Sequence, residues 1–267
     1  MPGRERTFRV EAVVLRHSDW GEADRLLTVF TREMGKERAI AKGVRKLRSR
    51  KAGHLEPFTQ VNLLLAQGRD LLIVTQAETI QPFMALRENL LLPTYAAYVV
   101  GLLDRFTFEE GENQALYQLL VDTLTRLNGG DPPDLVARYY EMRLLDLTGF
   151  RPQLFNCVGC GAEILPEDQY FSASQGGALC PKCGRALAPA TGSSLTGAWA
   201  VSLNALKHLR HFQRSSYEEA ARANLPAPLS RELENLMHHY LTYLLERSLN
   251  TPVFLRRLRT SPQEENQ

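Results

Sequence analysis

The sequence predicts a multidomain α+β protein: a small N-terminal β-barrel, then an α-helical domain carrying an inserted four-cysteine module. Three observations predict it. Short runs rich in β-branched and aromatic residues fill residues 6–80, and from Pro82 onward apolar residues recur at a helical period. The chain's only cysteines, Cys157, Cys160, Cys180 and Cys183, then fall in two C-x2-C pairs separated by 19 residues. The expected segments are a barrel over 1–80, a first helical part over 81–150, the cysteine module over 151–197, a second helical part over 198–260 and a polar tail over 261–267.

The expected strands are Phe8 to Leu15, Arg25 to Thr31, Lys36 to Val44, Val61 to Leu65 and Leu71 to Thr75. Met34-Gly35 turns the chain into the third, and Gln67-Gly68-Arg69-Asp70 marks a hairpin between the last two. Five short strands with a longer gap after the third fit a Greek-key barrel of the OB type. An SH3-like barrel is the alternative, and strand counts alone separate the two poorly. Tyr95, Tyr98, Val99, Leu102, Leu103 and Phe106 form the first helical stripe. Leu116, Leu119, Leu120, Leu124 and Leu127 form the second, stopped by Gly129-Gly130. Asp131 then Pro132 reads as an N-cap and first helical position, opening a helix to Gly149. Trp199 to Phe212 and Arg231 to Asn250 are the remaining expected helices.

Two residues between thiols let both sulfurs of a tight turn face one point, and two such turns supply a closed tetrahedral set for Zn2+. Four thiolates leave no open position for water, so the zinc is expected to be structural. Each pair is followed by a glycine, Gly161 and Gly184, which accepts the positive φ that such turns often need. Two independent redox pairs, or a relic site that does not fill, are the alternatives.

Cysteines in metal spacing point to a reducing compartment. Charged residues scattered through Met1 to Leu15 leave no secretory h-region, and Leu90 to Leu103 is too short to span a bilayer. A cytoplasmic protein is expected. The formal net charge is only +2, so charge placement matters more than its total. Between residues 36 and 51 lie Lys36, Arg38, Lys42, Arg45, Lys46, Arg48, Arg50 and Lys51, against a single acid, Glu37. Strand alternation sends Lys36, Arg38, Ile40 and Lys42 outward, and Glu37, Ala39, Ala41 and Gly43 toward the barrel interior. An outward row of cations follows a polyphosphate backbone, and Trp20, in the loop before the second strand, is a candidate base-stacking residue. A plain solvated face and a packed tryptophan are the competing readings. Lys207, Arg210, His211 and Arg214 share one face of a helix, with Lys182, Arg185, Arg256, Arg257 and Arg259 elsewhere. Each alone reads as ordinary surface charge.

Catalytic signals are thin. The sequence has no G-x4-G-K-[ST], no HExxH and no G-x-S-x-G. Asp134, Glu141 and Arg143 faintly match a metal-dependent nuclease pattern but lie within one expected helix. Glu109, Glu110 and Glu112 read as a solvated run, and the histidines form no ligand set. The protein is expected not to be an enzyme; a zinc-stabilised nucleic-acid enzyme such as a nuclease is the runner-up.

Glu11 to Lys46 closely resembles the start of the bacterial recombination mediator family RecO. The resemblance is carried by the aromatic-Gly-Glu-x-Asp-Arg-Leu-Leu block Trp20 to Leu27, the Phe-Thr-Arg-x-x-Gly-Lys block Phe30 to Lys36, and the Ala-Lys-Gly-x-Arg-Lys block Ala41 to Lys46. Tyr140 to Gly161 and the C-terminal LTYLLERSLNTPVFLRRL are similar to that family as well. The resemblance implies an OB barrel, a helical domain with an embedded zinc module, and binding of single- and double-stranded DNA. It also implies annealing of complementary strands without nucleotide hydrolysis, within DNA repair at the nucleoid. Partners implied are RecR, single-stranded DNA-binding protein and, indirectly, RecA.

Overall fold

The structure is a computed structural model, and it describes residues 7–88, 90–108, 111, 113–187 and 197–245. The chain divides into two compact units, Met1–Gly130 and Asp131–Gln267.

In the first unit, β1 (Thr7–Trp20), β2 (Asp24–Thr31), β3 (Gly35–Ala41), β4 (Gln60–Ala66) and β5 (Leu72–Gln81) close into a barrel in the order β1-β2-β3-β5-β4. The meander β1-β2-β3, the parallel β3–β5 pair and the antiparallel β1–β4 pair are OB connectivity. The alternation expected for β3 holds where it matters: Ala39 and Ala41 enter the barrel core beside Leu27, Val29, Leu63 and Val74. Small residues there let the strands close tightly. The strand ends earlier than expected, because Gly43 turns with φ +65. β1 runs on to Trp20, with a register shift between Val14 and Arg16. Val13 and Phe30, paired across β1 and β2, lie outside that inner cluster yet are 0% and 1% exposed.

Among the described residues two α-helices complete this unit, α1 (Leu91–Phe106) and α2 (Gln114–Gly129). The expected stripes are their buried faces, Phe106 alone being half-buried. Asn113 caps α2 by accepting from the Leu116 amide at 3.0 Å, and Gly130, at φ +89, ends it. Tyr117 of α2 donates to Glu11 of β1 at 3.0 Å, and Gln60 of β4 donates to the same carboxylate at 2.7 Å. These bonds hold α2 against the barrel within the one compact unit.

The second unit contains α3 (Pro133–Leu147), a three-stranded sheet β7-β6-β8 (Gly177–Leu179, Gln169–Ser172, Ala198–Val201), α4 (Pro181–Leu187), α5 (Leu203–Arg214), the single turn α6 (Tyr217–Ala220) and α7 (Ala227–Leu245). Two expectations are corrected. Trp199 lies in β8, not in a helix: β8 pairs with β6, and Ser202 caps α5 by accepting from the Ala205 amide. Pro132, not Asp131, is the N-cap of α3, and the Asp131 carboxylate instead accepts from Tyr217 Oη at 2.9 Å. The apolar period of α7 runs Leu233, Leu236, Met237, Tyr240, Leu241, Leu244 and Leu245; the first five are buried, and Leu244 and Leu245 are half-buried. Residues 246–250 of the last expected helix, the C-terminal arginines, Glu109, Glu110, Glu112 and the polar tail lie outside the described residues.

Candidate nucleic-acid interface and metal centre

The basic segment after β3 is a built turn. Val44 anchors it in the barrel core at 1% exposure. The Ser49 amide donates to the Lys46 carbonyl at 2.8 Å, and Lys51 Nζ donates to the Val74 carbonyl of β5 at 2.9 Å. Burial lowers the Lys51 pKa, and the nearby Asp24 charge partly offsets this. The segment is also stitched to the β1–β2 turn. The Gly43 amide donates to Asp24 Oδ1 at 2.7 Å, the Arg45 amide to the Ala23 carbonyl at 2.9 Å, and the Arg45 guanidinium meets Asp19 at 3.3 Å. Trp20, expected in the loop, is instead the last residue of β1, paired with Asp24 beside that turn and 52% exposed. Lys42, Lys46, Arg48 and Arg50 are exposed and have no ion-pair partner among the described residues. Arg38 is exposed on β3, opposite Thr28.

The four cysteines converge in the second unit. Their sulfurs all lie within 4.8 Å of one another, with Cys160 and Cys180 at 3.9 Å. A tetrahedral site with bonds of about 2.3 Å places its sulfurs roughly 3.8 Å apart, so the donor set fits Zn2+ in type and size. The first pair sits on a hairpin closed by the Cys157 amide to the Ala162 carbonyl (2.7 Å) and the Gly161 amide to the Cys157 carbonyl (2.8 Å). The second pair opens α4. Burial opposes ionisation of Cys157, but the amides of Cys180, Cys160 and Gly159 aim at its sulfur and hold the thiol at about 6. Gly161 has the positive φ expected of it, +76; Gly184 does not, and serves a different need. It packs on the Tyr170 ring, where a Cβ would overlap the ring atoms.

The family described as Recombination protein O N terminal matches residues 6–83, and Recombination protein O C terminal matches residues 87–252. The chain belongs to the RecO family. Relatives named DNA repair protein RecO include that of Roseiflexus sp. (strain RS-1), 42% identical over 94% of this chain and 86% of its own length. That of Pelotomaculum thermopropionicum is 37% identical over 96% of both chains. One from Dehalococcoides mccartyi is 35% identical over 90% of this chain and 91% of its own.

Within this RecO-family chain, the blocks Trp20 to Leu27 and Ala41 to Lys46 are the two sides of one hydrogen-bonded junction, through Asp24, Gly43 and Arg45. Lys36 does not join the exposed cations. Its side chain is 12% exposed, paired with Asp104 at 3.1 Å and bonded to the carbonyls of Asp104 and Thr107 at the end of α1. There it supplies positive charge to a helix C-terminus, so its expected place in an outer groove is corrected. The candidate second basic face is likewise mostly committed. Arg210 donates to the Leu154 carbonyl at 2.6 Å, and Arg214 stacks 3.7 Å over Phe155, fastening α5 to the cysteine module. His211 pairs with Ser215 at 2.9 Å, and His54 with Thr79 at 2.8 Å. Glu141 is wholly buried against Arg138 at 2.7 Å, and Asp134 accepts from Ser230 at 3.1 Å. Both carboxylates are thus tied into helix packing. Sequence reasoning missed Leu47, fully exposed at the corner of the basic turn, where hydrophobicity alone predicts burial. No helix among the described residues is long and apolar enough to cross a membrane.

Proposed function

We propose that this chain is a DNA repair and recombination mediator that binds single- and double-stranded DNA and anneals complementary strands without nucleotide hydrolysis. With RecR it would place RecA on DNA covered by single-stranded DNA-binding protein, at the nucleoid. The observation that carries the reading is the anchored turn holding Lys42, Lys46, Arg48 and Arg50 in solvent next to Trp20, in a chain of the RecO family. Cations held in register neutralise phosphates without first ordering a loop, and each contact releases counterions. Annealing brings two polyanions together, so a protein that gathers both lowers their repulsion and raises local strand concentration. Sequence readout would hinder that task; contacts to phosphates and base faces suit it. The cysteine cluster is assigned one structural Zn2+, held by Cys157, Cys160, Cys180 and Cys183, whose role is to organise residues 151 to 187.

The test is a fluorescence annealing assay with complementary oligonucleotides, no nucleotide and no Mg2+, across roughly 50 to 200 mM salt. Annealing should fall steeply as salt rises, and DNA length should not change. A strict nucleotide requirement, or cleavage abolished by Asp134→Asn, would refute the reading.

A further inference from the structure

Behind the basic turn the barrel carries a groove of about 440 Å3 on β1, β4 and β5. It opens where the β4–β5 register shifts between Leu64 and Leu65. Thr75 takes up the Leu64 carbonyl at the shift, at 2.8 Å. The last two residues of the basic turn, Arg50 and Lys51, line one side, and Arg9 of β1 joins them. Arg9 and Arg50 are exposed and have no ion-pair partner among the described residues. Glu78 is the only carboxylate in the lining. Asn62 and Gln76 bring amide groups that hydrogen-bond either as donors or as acceptors. Leu64, cross-strand neighbour of both Arg9 and Gln76, gives the wall an aliphatic patch.

Three kinds of contact thus meet in one cavity: cations, amides and an apolar surface. A free phosphate would use only the first, and an apolar ligand only the last. A nucleotide unit uses all three, with its phosphate on the guanidinium groups, its base face on the aliphatic wall and its base edge on the amides. Because amides offer both donors and acceptors, the cavity selects no particular base. The volume lies within the range that takes a ligand of this size. Arg50 and Lys51 belong to both the turn and the groove, so the two surfaces are continuous.

We propose that a single DNA strand gathered by the basic turn continues into this groove and seats one nucleotide between Arg9, Arg50 and Gln76. The proposal rests on the DNA-binding reading and extends it to the β1-β4-β5 side of the barrel. The groove holds an unpaired nucleotide, so it favours single strands over duplex.

The test measures anisotropy of a fluorescein-labelled oligothymidine across a salt series, with the full chain as wild type, Arg9→Ala, Gln76→Trp and Arg48→Glu. Arg9 and Gln76 are exposed, so both variants should keep the wild-type melting temperature. Arg9→Ala should weaken single-strand binding and reduce the salt slope by about 0.7, the value of one phosphate contact on a single strand. Gln76→Trp fills the groove without removing charge; it should weaken single-strand binding while leaving duplex binding unchanged. An oligonucleotide carrying 5-iododeoxyuridine should crosslink to peptides of β4 or β5. Wild-type binding by both groove variants, with Arg48→Glu still impaired, would overturn the groove and leave the DNA-binding turn standing. An unimpaired Arg48→Glu would remove the turn, and the groove proposal with it. Displacement of the oligonucleotide by thymidine monophosphate at equal nucleotide concentration would make the groove a free-nucleotide site and refute the strand path.

Discussion

Replacing Lys36 with methionine separates structural from DNA-contacting cations. The side chain is 12% exposed, and its ammonium lies 3.1 Å from the Asp104 carboxylate and donates to two carbonyls at the end of α1. Methionine keeps most of the stem but removes the donor. Hydrogen bonds to charged groups contribute about 1.5–3 kcal/mol each, though not additively when they share one ammonium. Asp104 retains Arg16 at 3.3 Å, an exposed partner of little value. The expected loss is therefore about 2–4 kcal/mol, a fall of roughly 6–15 °C in melting temperature for the barrel unit. Thermal melting followed by circular dichroism reads the first effect, and a DNA titration across salt reads the second. Lys36→Met should melt early but keep the wild-type salt slope, measured below its transition. Arg48→Met should do the reverse, with unchanged melting and a slope smaller by about 0.7–0.9. Wild-type melting with a reduced slope in Lys36→Met would refute the assignment of Lys36 to the helix end.

Cys180→Ser should purify with little metal where the wild type carries close to one zinc per chain, and limited proteolysis should then cut within residues 151 to 187; equal zinc content in the two by elemental analysis would contradict the cluster's role. Gly184→Ala drives a methyl group into the Tyr170 ring and should cost about 1–3 kcal/mol by overpacking, read as zinc lost to a chelator faster than from wild type. His239 is buried against Trp199, with ring centroids 4.1 Å apart, and burial together with the His238 charge lowers its pKa below 6.5. The unfolded chain therefore binds the proton more readily than the fold does. His239 thus favours the fold above about pH 6.5, and that contribution is lost as pH falls through the lowered folded value. Urea unfolding at a series of pH values should show this slope, and His239→Gln should flatten it. Leu47→Ala should leave the melting temperature unchanged, because its side chain is fully exposed.

Short-range patterns carried much of this chain. The period of Tyr95, Tyr98, Val99, Leu102 and Leu103 places an apolar stripe on one helix face whatever that face meets, and all five are buried. Ala39 and Ala41 enter the barrel because strand alternation leaves them no other side. C-x2-C spacing sets the geometry of each cysteine pair locally, and Gly161 follows from the turn it closes. Convergence of the two pairs, by contrast, needs the intervening β6–β7 hairpin. What only the tertiary structure decided rests on partners far away in the chain. Lys36 is indistinguishable from Lys42 until an α1 terminus 68 residues later claims it. Trp199 continues a plausible helical stripe, but hydrogen bonds to β6 draw it into a strand, since ladder pairing satisfies backbone groups that local propensity cannot foresee. Gly184 looks like a turn glycine and is one of space, because the Tyr170 ring occupies where its side chain would stand. The sequence by itself therefore determined periodicity, metal spacing and the supply of cations; the tertiary structure decided which cations remain in solvent, because long-range carbonyls and carboxylates compete with solvent for the same charges.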